Sequence, residues 1–257
     1  MNETLLKIIS ESYKVFFAPT KKDNSRSSDK LKSIHSFIAN TIKEKLDKNY
    51  KIYSISENKE DKEKIVAGFY YNKKVDITIN YKKKDIVGIG VKSIMGNYSQ
   101  NSNNYFENLL GETANLQRNK FKYCNFLIIP KYVPHYKKGA TKNTKKLSKI
   151  EELNDMELKK YLKLYDDNLN NIFHKPNLTF ILVIDTGIKD VLQNNLGKEL
   201  NIKEFNKVLL KNYKITIFDI KNCPELRETK NFLEKVNDFD KFIDAVYNLV
   251  KVLSYGE

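Results

Sequence analysis

Two short runs at residues 75–81 (VDITINY) and 86–94 (IVGIGVKSI) alternate with period two on either side of a lysine-rich turn. This pair constrains the middle of the chain more than any other feature. With the turn centred near Lys83, Asp76 falls opposite Gly90, Thr78 opposite Gly88 and Asn80 opposite Ile86. Successive strand side chains point to opposite faces, so Val75, Ile77 and Ile79 share an apolar surface with Val87, Ile89 and Val91. The other face carries Asp76, Thr78, Asn80, Gly88, Gly90 and Lys92. Asp76 and Lys92 become diagonal neighbours, their Cβ atoms roughly 7 Å apart, near enough to act on one water.

Around this hairpin the chain alternates helical and strand-like segments. An N-terminal helix precedes a polar stretch at 20–28, and a second helix starts near Ser28 or Asp29 as N-cap. Three β-like runs follow, at 65–71, 75–81 and 86–94, then a helix over 104–120 and a buried-type strand, YCNFLIIP. A helix over 151–173, the continuous apolar strand LTFILVID, a helix near 202–211, the strand KITIFDI and an amphipathic helix over 239–253 complete the chain. The expected fold class is α/β, a central mixed β-sheet flanked by helices in αβββαβ order with further αβα elements. A length of 257 residues suits one domain, here a core over 28–130 and an extension over 150–257.

Composition narrows the function. No apolar run is long enough to span a membrane, and Glu3, Lys7 and Glu11 interrupt the N-terminal segment, which excludes a secretory signal. Cys124 and Cys223 have neither metal nor redox spacing, and His35, His135 and His174 are scattered without a zinc signature. A reducing, cytoplasmic setting is expected. The net charge of +14 favours polyanions. Only three of the 46 basic residues are arginines, Arg26, Arg118 and Arg227, so a lysine- and asparagine-heavy composition accounts for part of that charge. The densest basic cluster, residues 137–149, has six lysines and no acid and is read as a loop, either solvated or in contact with phosphates.

A lone acid and a lone lysine on neighbouring strands, followed by a helix bearing Glu107 and Glu112, suit phosphodiester cleavage. The substrate is anionic and its leaving alkoxide poor. A divalent cation neutralises developing charge and acidifies water, and Mg²⁺ needs only one or two carboxylates. A lysine beside that water orients it or stabilises charge at phosphorus.

Asp76, thirteen intervening residues, then Gly90-Val91-Lys92 resembles the PD-(D/E)xK nuclease superfamily, and residues 74–115 resemble its type II restriction endonucleases. Two positions depart from that pattern. Val75 replaces the proline, and Gly90 occupies the acidic position two residues before the lysine. The resemblance implies that a glutamate of the next helix is recruited instead. Glu107, fifteen residues after Lys92, is favoured by spacing, with Glu112 as the alternative. The resemblance further implies a prokaryotic, Mg²⁺-dependent enzyme that hydrolyses double-stranded DNA to 5′-phosphate ends. Asp76, Glu107 and the Val91 carbonyl would hold the metal, with Lys92 completing the catalytic set. It also implies a homodimer and a DNA methyltransferase as genetic partner. Asn97, Gln100, Asn101, Lys137, Lys138, Lys142, Lys145 and Lys146 are the candidate DNA contacts. Two alternatives share these residues: a structure-specific repair or resolvase-type nuclease, and a non-catalytic DNA-binding module in which Gly90 marks a lost site. Gly88 and Gly90 themselves predict close approach of something to the strand backbone.

Overall fold

The computed structural model describes residues 2–18, 29–56, 58, 61–169 and 172–255. Its centre is a six-stranded mixed sheet. In spatial order the strands are β1 (Tyr50–Ser54), β4 (Ile77–Tyr81), β5 (Lys84–Ser93), β6 (Lys122–Pro130), β9 (Leu178–Asp185) and β11 (Thr216–Ile217). The first three form an antiparallel meander, β5, β6 and β9 run parallel, and β11 closes the far edge antiparallel. Parallel neighbours need a crossover, and α3 (Tyr98–Arg118) supplies it between β5 and β6.

Both faces of the parallel strands are covered, which explains their near-continuous apolar sequences. On one face Ile77, Ile89, Phe126, Ile128, Phe180 and Leu182 pack against α1 (Asn2–Phe17), α2 (Lys32–Lys43) and α8 (Phe239–Tyr255). On the other, Tyr123, Leu127, Ile129, Ile181 and Val183 meet α3, α4 (Asp155–Asp166) and α7 (Lys230–Val236). In α2, Ile34, Ile38 and Ile42 recur every fourth residue and are fully buried; each contributes about 1.5–3 kcal/mol by leaving water. The Tyr13 hydroxyl donates to the Ile94 carbonyl at 2.7 Å, tying α1 to the end of β5.

Several expectations need correction. The first meander strand is β1, not residues 65–71. Those residues contribute only to a separate ribbon of β2 (Lys64–Val66) and β3 (Lys73–Val75), with Phe69, Tyr70 and Tyr71 exposed. Residues 50–54 (YKIYS) instead pair with β4 and take the edge of the central sheet. The helix expected over 151–173 is shorter and later: residues 151–152 end β8 (Thr144–Glu152), and Asn154 caps α4 by accepting the Met156 amide. α3 begins at Tyr98 rather than Asn104. The strand expected over 214–220 reduces to β11. Ser28 lies outside the described residues, and Asp29 opens a single 3₁₀ turn ahead of α2 instead of capping it. The polar stretch at 20–28 likewise lies outside the described residues.

The lysine-rich segment is a loop only over residues 139–143, which include Lys142. Its flanks belong to a hairpin of β7 (Tyr132–Lys138) and β8, extended by β10 (Glu199–Asn201) into a second, three-stranded sheet. Lys137 faces Lys146, and Lys138 faces Lys145. Among the described residues, no helix is long and apolar enough to cross a membrane.

Candidate active site

The β4–β5 hairpin has nearly the expected register. Ile77 pairs with Ile89 and Thr78 with Gly88, but Asn80 lies opposite Asp85 instead of Ile86. The turn is one residue tighter than expected. Its central residues, Lys82 and Lys83, both have positive φ, the requirement of a two-residue type I′ turn. A register shift beside Asn80 absorbs the difference, so the pairing near Asp76 is unaffected. The face expected to be polar is not open to water: Thr78 and Asn80 are buried.

Asp76 sits in the break between β3 and β4. Its Oδ2 accepts the Val91 amide at 2.7 Å, so a carboxylate caps the ladder where its own strand bends away. Burial raises the Asp76 carboxyl to about 6. The Val91 amide opposes that rise, Glu112 adds to it, and Lys92 and Lys73 oppose it. Lys92, one residue beyond the Val91 amide, is exposed and places its ammonium 5.2 Å from the centre of the Tyr105 ring on α3. Asp76, Lys92 and the Val91 backbone are thus brought together.

Of the two helix glutamates, Glu112 reaches this cluster. Its carboxylate pairs with Lys73 of β3 and accepts the Tyr123 hydroxyl of β6 at 3.1 Å. Glu107 is exposed on another flank of α3, where its charge acts on Lys160 of α4. One turn further along α3, Asn115 fixes the helix against the ribbon. Its side chain accepts the Tyr70 and Tyr71 amides and donates to the Tyr71 carbonyl. That clamp sets β3 alongside α3, and with it the Lys73–Glu112 pair.

Gly90 shows what the missing acid leaves room for. A Cβ there would lie 2.0 Å from the Tyr123 hydroxyl oxygen. The hydroxyl occupies the space of a strand side chain and holds Glu112 from α3. At Gly88 a Cβ would meet the Phe121 ring at 2.6 Å. Both glycines admit an aromatic ring of the α3–β6 connection or of β6 against the sheet.

Two residues that sequence reasoning missed complete the surroundings. His35 of α2 and Glu63, just before β2, place ligand atoms within 4.8 Å of each other and of Asp76. The His35 side chain is 1% exposed, its Nδ1 is 3.8 Å from Glu63 Oε1, and Lys74 pairs with Glu63 Oε2 at 2.8 Å. Burial lowers the His35 imidazole to about 4 against the pull of Glu63, so it is neutral near pH 7. Neither ring nitrogen has a hydrogen-bond partner among the described residues. In the sequence, His35 sits in the apolar stripe of α2, where a buried histidine reads as ordinary core; no signal ties it to Glu63.

The candidate DNA contacts divide into two groups. Asn97, at φ 49°, accepts the Tyr136 amide through its side chain and the Asn101 side-chain amide through its carbonyl. Asn97 fastens the start of α3 to β7 and Asn101 braces Asn97, while Gln100 is exposed. Lys137, Lys138, Lys142, Lys145 and Lys146 are all exposed on the β7–β8 hairpin. No protein-family model matches this chain, and neither does any curated protein or solved structure.

Proposed function

We propose that this chain is a divalent-metal-dependent endonuclease of the PD-(D/E)xK type, acting on double-stranded DNA in the manner of a type II restriction endonuclease. The observation that carries the reading is the Asp76 carboxylate, half-buried on the Val91 amide with Lys92 and Glu112 acting on its charge. The path α2, β1, β4, β5, α3, β6 is also the αβββαβ order that such a core requires.

The donor set fits a cation. Asp76 offers a carboxylate whose ionised form is disfavoured by burial, and Val91, whose amide that carboxylate accepts, would add its main-chain carbonyl. Glu112 takes the place of Glu107 as the helix acid of this reading, because it is the one that acts on Asp76. Mg²⁺, when bound, neutralises phosphate charge and makes an attacking water more acidic. The chain does the rest. In this reading Lys92 orients water and stabilises negative charge on the phosphoryl oxygens. Tyr123 donates to Glu112, and Lys73 pairs with that carboxylate. The lysine hairpin supplies sequence-independent phosphate contacts.

The test is digestion of supercoiled plasmid with Mg²⁺ at low salt, followed by end labelling. Discrete bands with 5′-phosphate ends, abolished by Asp76→Asn and by Lys92→Ala, are expected. Intact plasmid across varied substrates, from protein that binds DNA normally, overturns the reading.

A further inference from the structure

We propose that His35, Glu63 and Asp76 form a binding site for a first-row divalent transition-metal ion, using one imidazole nitrogen and two carboxylates. The inference deepens the nuclease reading by naming the metal class at Asp76, and it rests on that reading only through the shared carboxylate.

The starting observation is an unexplained cost. A buried polar group without a partner destabilises a fold. His35 carries two such nitrogens, in a helix whose neighbouring core positions are isoleucines. Either nitrogen would be better replaced by an aliphatic side chain unless something else binds it. What faces Nδ1 is Glu63 Oε1 at 3.8 Å, too far for a hydrogen bond. The spacing instead suits two donors on one ion, which stand roughly 3 to 4 Å apart when each is about 2.0–2.2 Å from the metal. The ligand atoms of His35, Glu63 and Asp76 lie within 4.8 Å of one another, so sub-ångström to ångström side-chain shifts close the set.

The second oxygens are already used in ways that aim the first. Lys74 binds Glu63 Oε2, leaving Oε1 toward the imidazole. The Val91 amide binds Asp76 Oδ2, leaving Oδ1 as its other donor atom. Each carboxylate is therefore oriented by a separate partner, as outer partners orient metal ligands elsewhere. The chemistry of the set selects the ion. Mg²⁺ prefers oxygen ligands and near-ideal octahedral geometry. One neutral imidazole shifts preference to first-row transition metals, with affinity rising from Mn²⁺ along the series.

The experiment uses the full chain freed of metal and Mn²⁺ alone as probe, without DNA. Calorimetry is expected to give one Mn²⁺ per chain, and pulsed electron paramagnetic resonance a ¹⁴N coupling from a directly bound imidazole. His35→Leu and Glu63→Gln should each weaken Mn²⁺ binding about tenfold or more, while Glu204→Gln, on a distant exposed pair, leaves it unchanged. Unchanged affinity in folded His35→Leu, or bound Mn²⁺ without ¹⁴N coupling, overturns the site. The coupling is read on the unsubstituted chain, so the proposal stays testable even if a variant fails to fold. Mn²⁺ bound through nitrogen by a chain that does not cut DNA keeps the site and removes the nuclease reading. Cutting that survives His35→Leu, without nitrogen coupling, does the reverse.

Discussion

Asp76 and His35 pull stability in opposite directions with pH. The folded Asp76 carboxyl titrates near 6, above its ordinary value of about 3.9. Between those values the native chain keeps a proton that the unfolded chain has lost, so this group lowers stability as pH rises. The folded His35 imidazole titrates near 4, below its ordinary value of about 6.5. Across that window the unfolded chain holds the extra proton, so this group raises stability as pH rises. Each contribution is about 3 kcal/mol. In urea melts with chelator, Asp76→Asn should make stability climb more steeply from about pH 4 to 6. His35→Leu should turn that climb into a decline. Parallel curves for both variants and the parent would refute the assignment. Gly90 yields a second residue-scale prediction. Gly90→Ala drives a methyl group into the Tyr123 hydroxyl and should cost about 1–3 kcal/mol. Tyr123→Phe in the same chain should recover part of that loss, which a double-mutant cycle measures.

At the scale of elements, the rotation of α3 sets which of its glutamates lies beside Asp76. Glu107 and Glu112 lie on different flanks of one helix, and sequence spacing favoured Glu107. The Asn115 clamp and the Tyr123 hydroxyl turn the Glu112 flank toward Asp76. In the plasmid assay Glu112→Gln should cut cleavage at least 100-fold, a loss typical of a group acting on charge in the transition state, and Glu107→Gln should change it little. The reverse ranking would return the role to Glu107. The β7–β8 hairpin carries the other element-scale prediction. Lysines directly opposite one another repel, and this ribbon keeps two such pairs, with Glu199 of β10 opposite Lys146. Replacing Lys137, Lys138, Lys145 and Lys146 with glutamine should flatten the log–log salt dependence of DNA binding by roughly 0.9 per lost contact. An unchanged slope would mean that these lysines are only solvated.

For the whole molecule, the two ends of the chain share one core. Phe126 of β6 stacks on Phe180 of β9 at 4.3 Å, and both rings meet Phe239 and Phe242 of α8 edge-on or tilted. α2 joins the same cluster through Phe37, stacked 5.5 Å from Phe239. A chain cut after residue 150 therefore loses the sheet neighbour of β6 and the cover of Phe126. It should lack a cooperative unfolding transition in circular dichroism, and a sharp transition in that fragment would contradict this.

The sequence by itself determined the elements whose pattern is local. Period two placed Thr78 opposite Gly88 in a hairpin but ran its strand through Asp76, where the chain breaks between β3 and β4; apolar runs identified β6 and β9, and helical periodicity marked α2, α6 (Ile202–Asn212) and α8. It also singled out Asp76 and Lys92, because a lone acid and a lone lysine stand out on a strand face otherwise neutral. The tertiary structure decided what depends on partners far along the chain. Strand alternation does not say which neighbour is chosen, so β1 displaced residues 65–71 from the meander. Lysine-rich composition reads as solvated loop until β8 finds β7 and β10. Spacing along α3 cannot fix the rotation of a helix held by side chains of other elements. His35 and Glu63 come beside Asp76 only because α2 and the approach to β2 converge on the break between β3 and β4. Convergence of that kind leaves no periodic trace, since each residue separately satisfies the pattern of its own element.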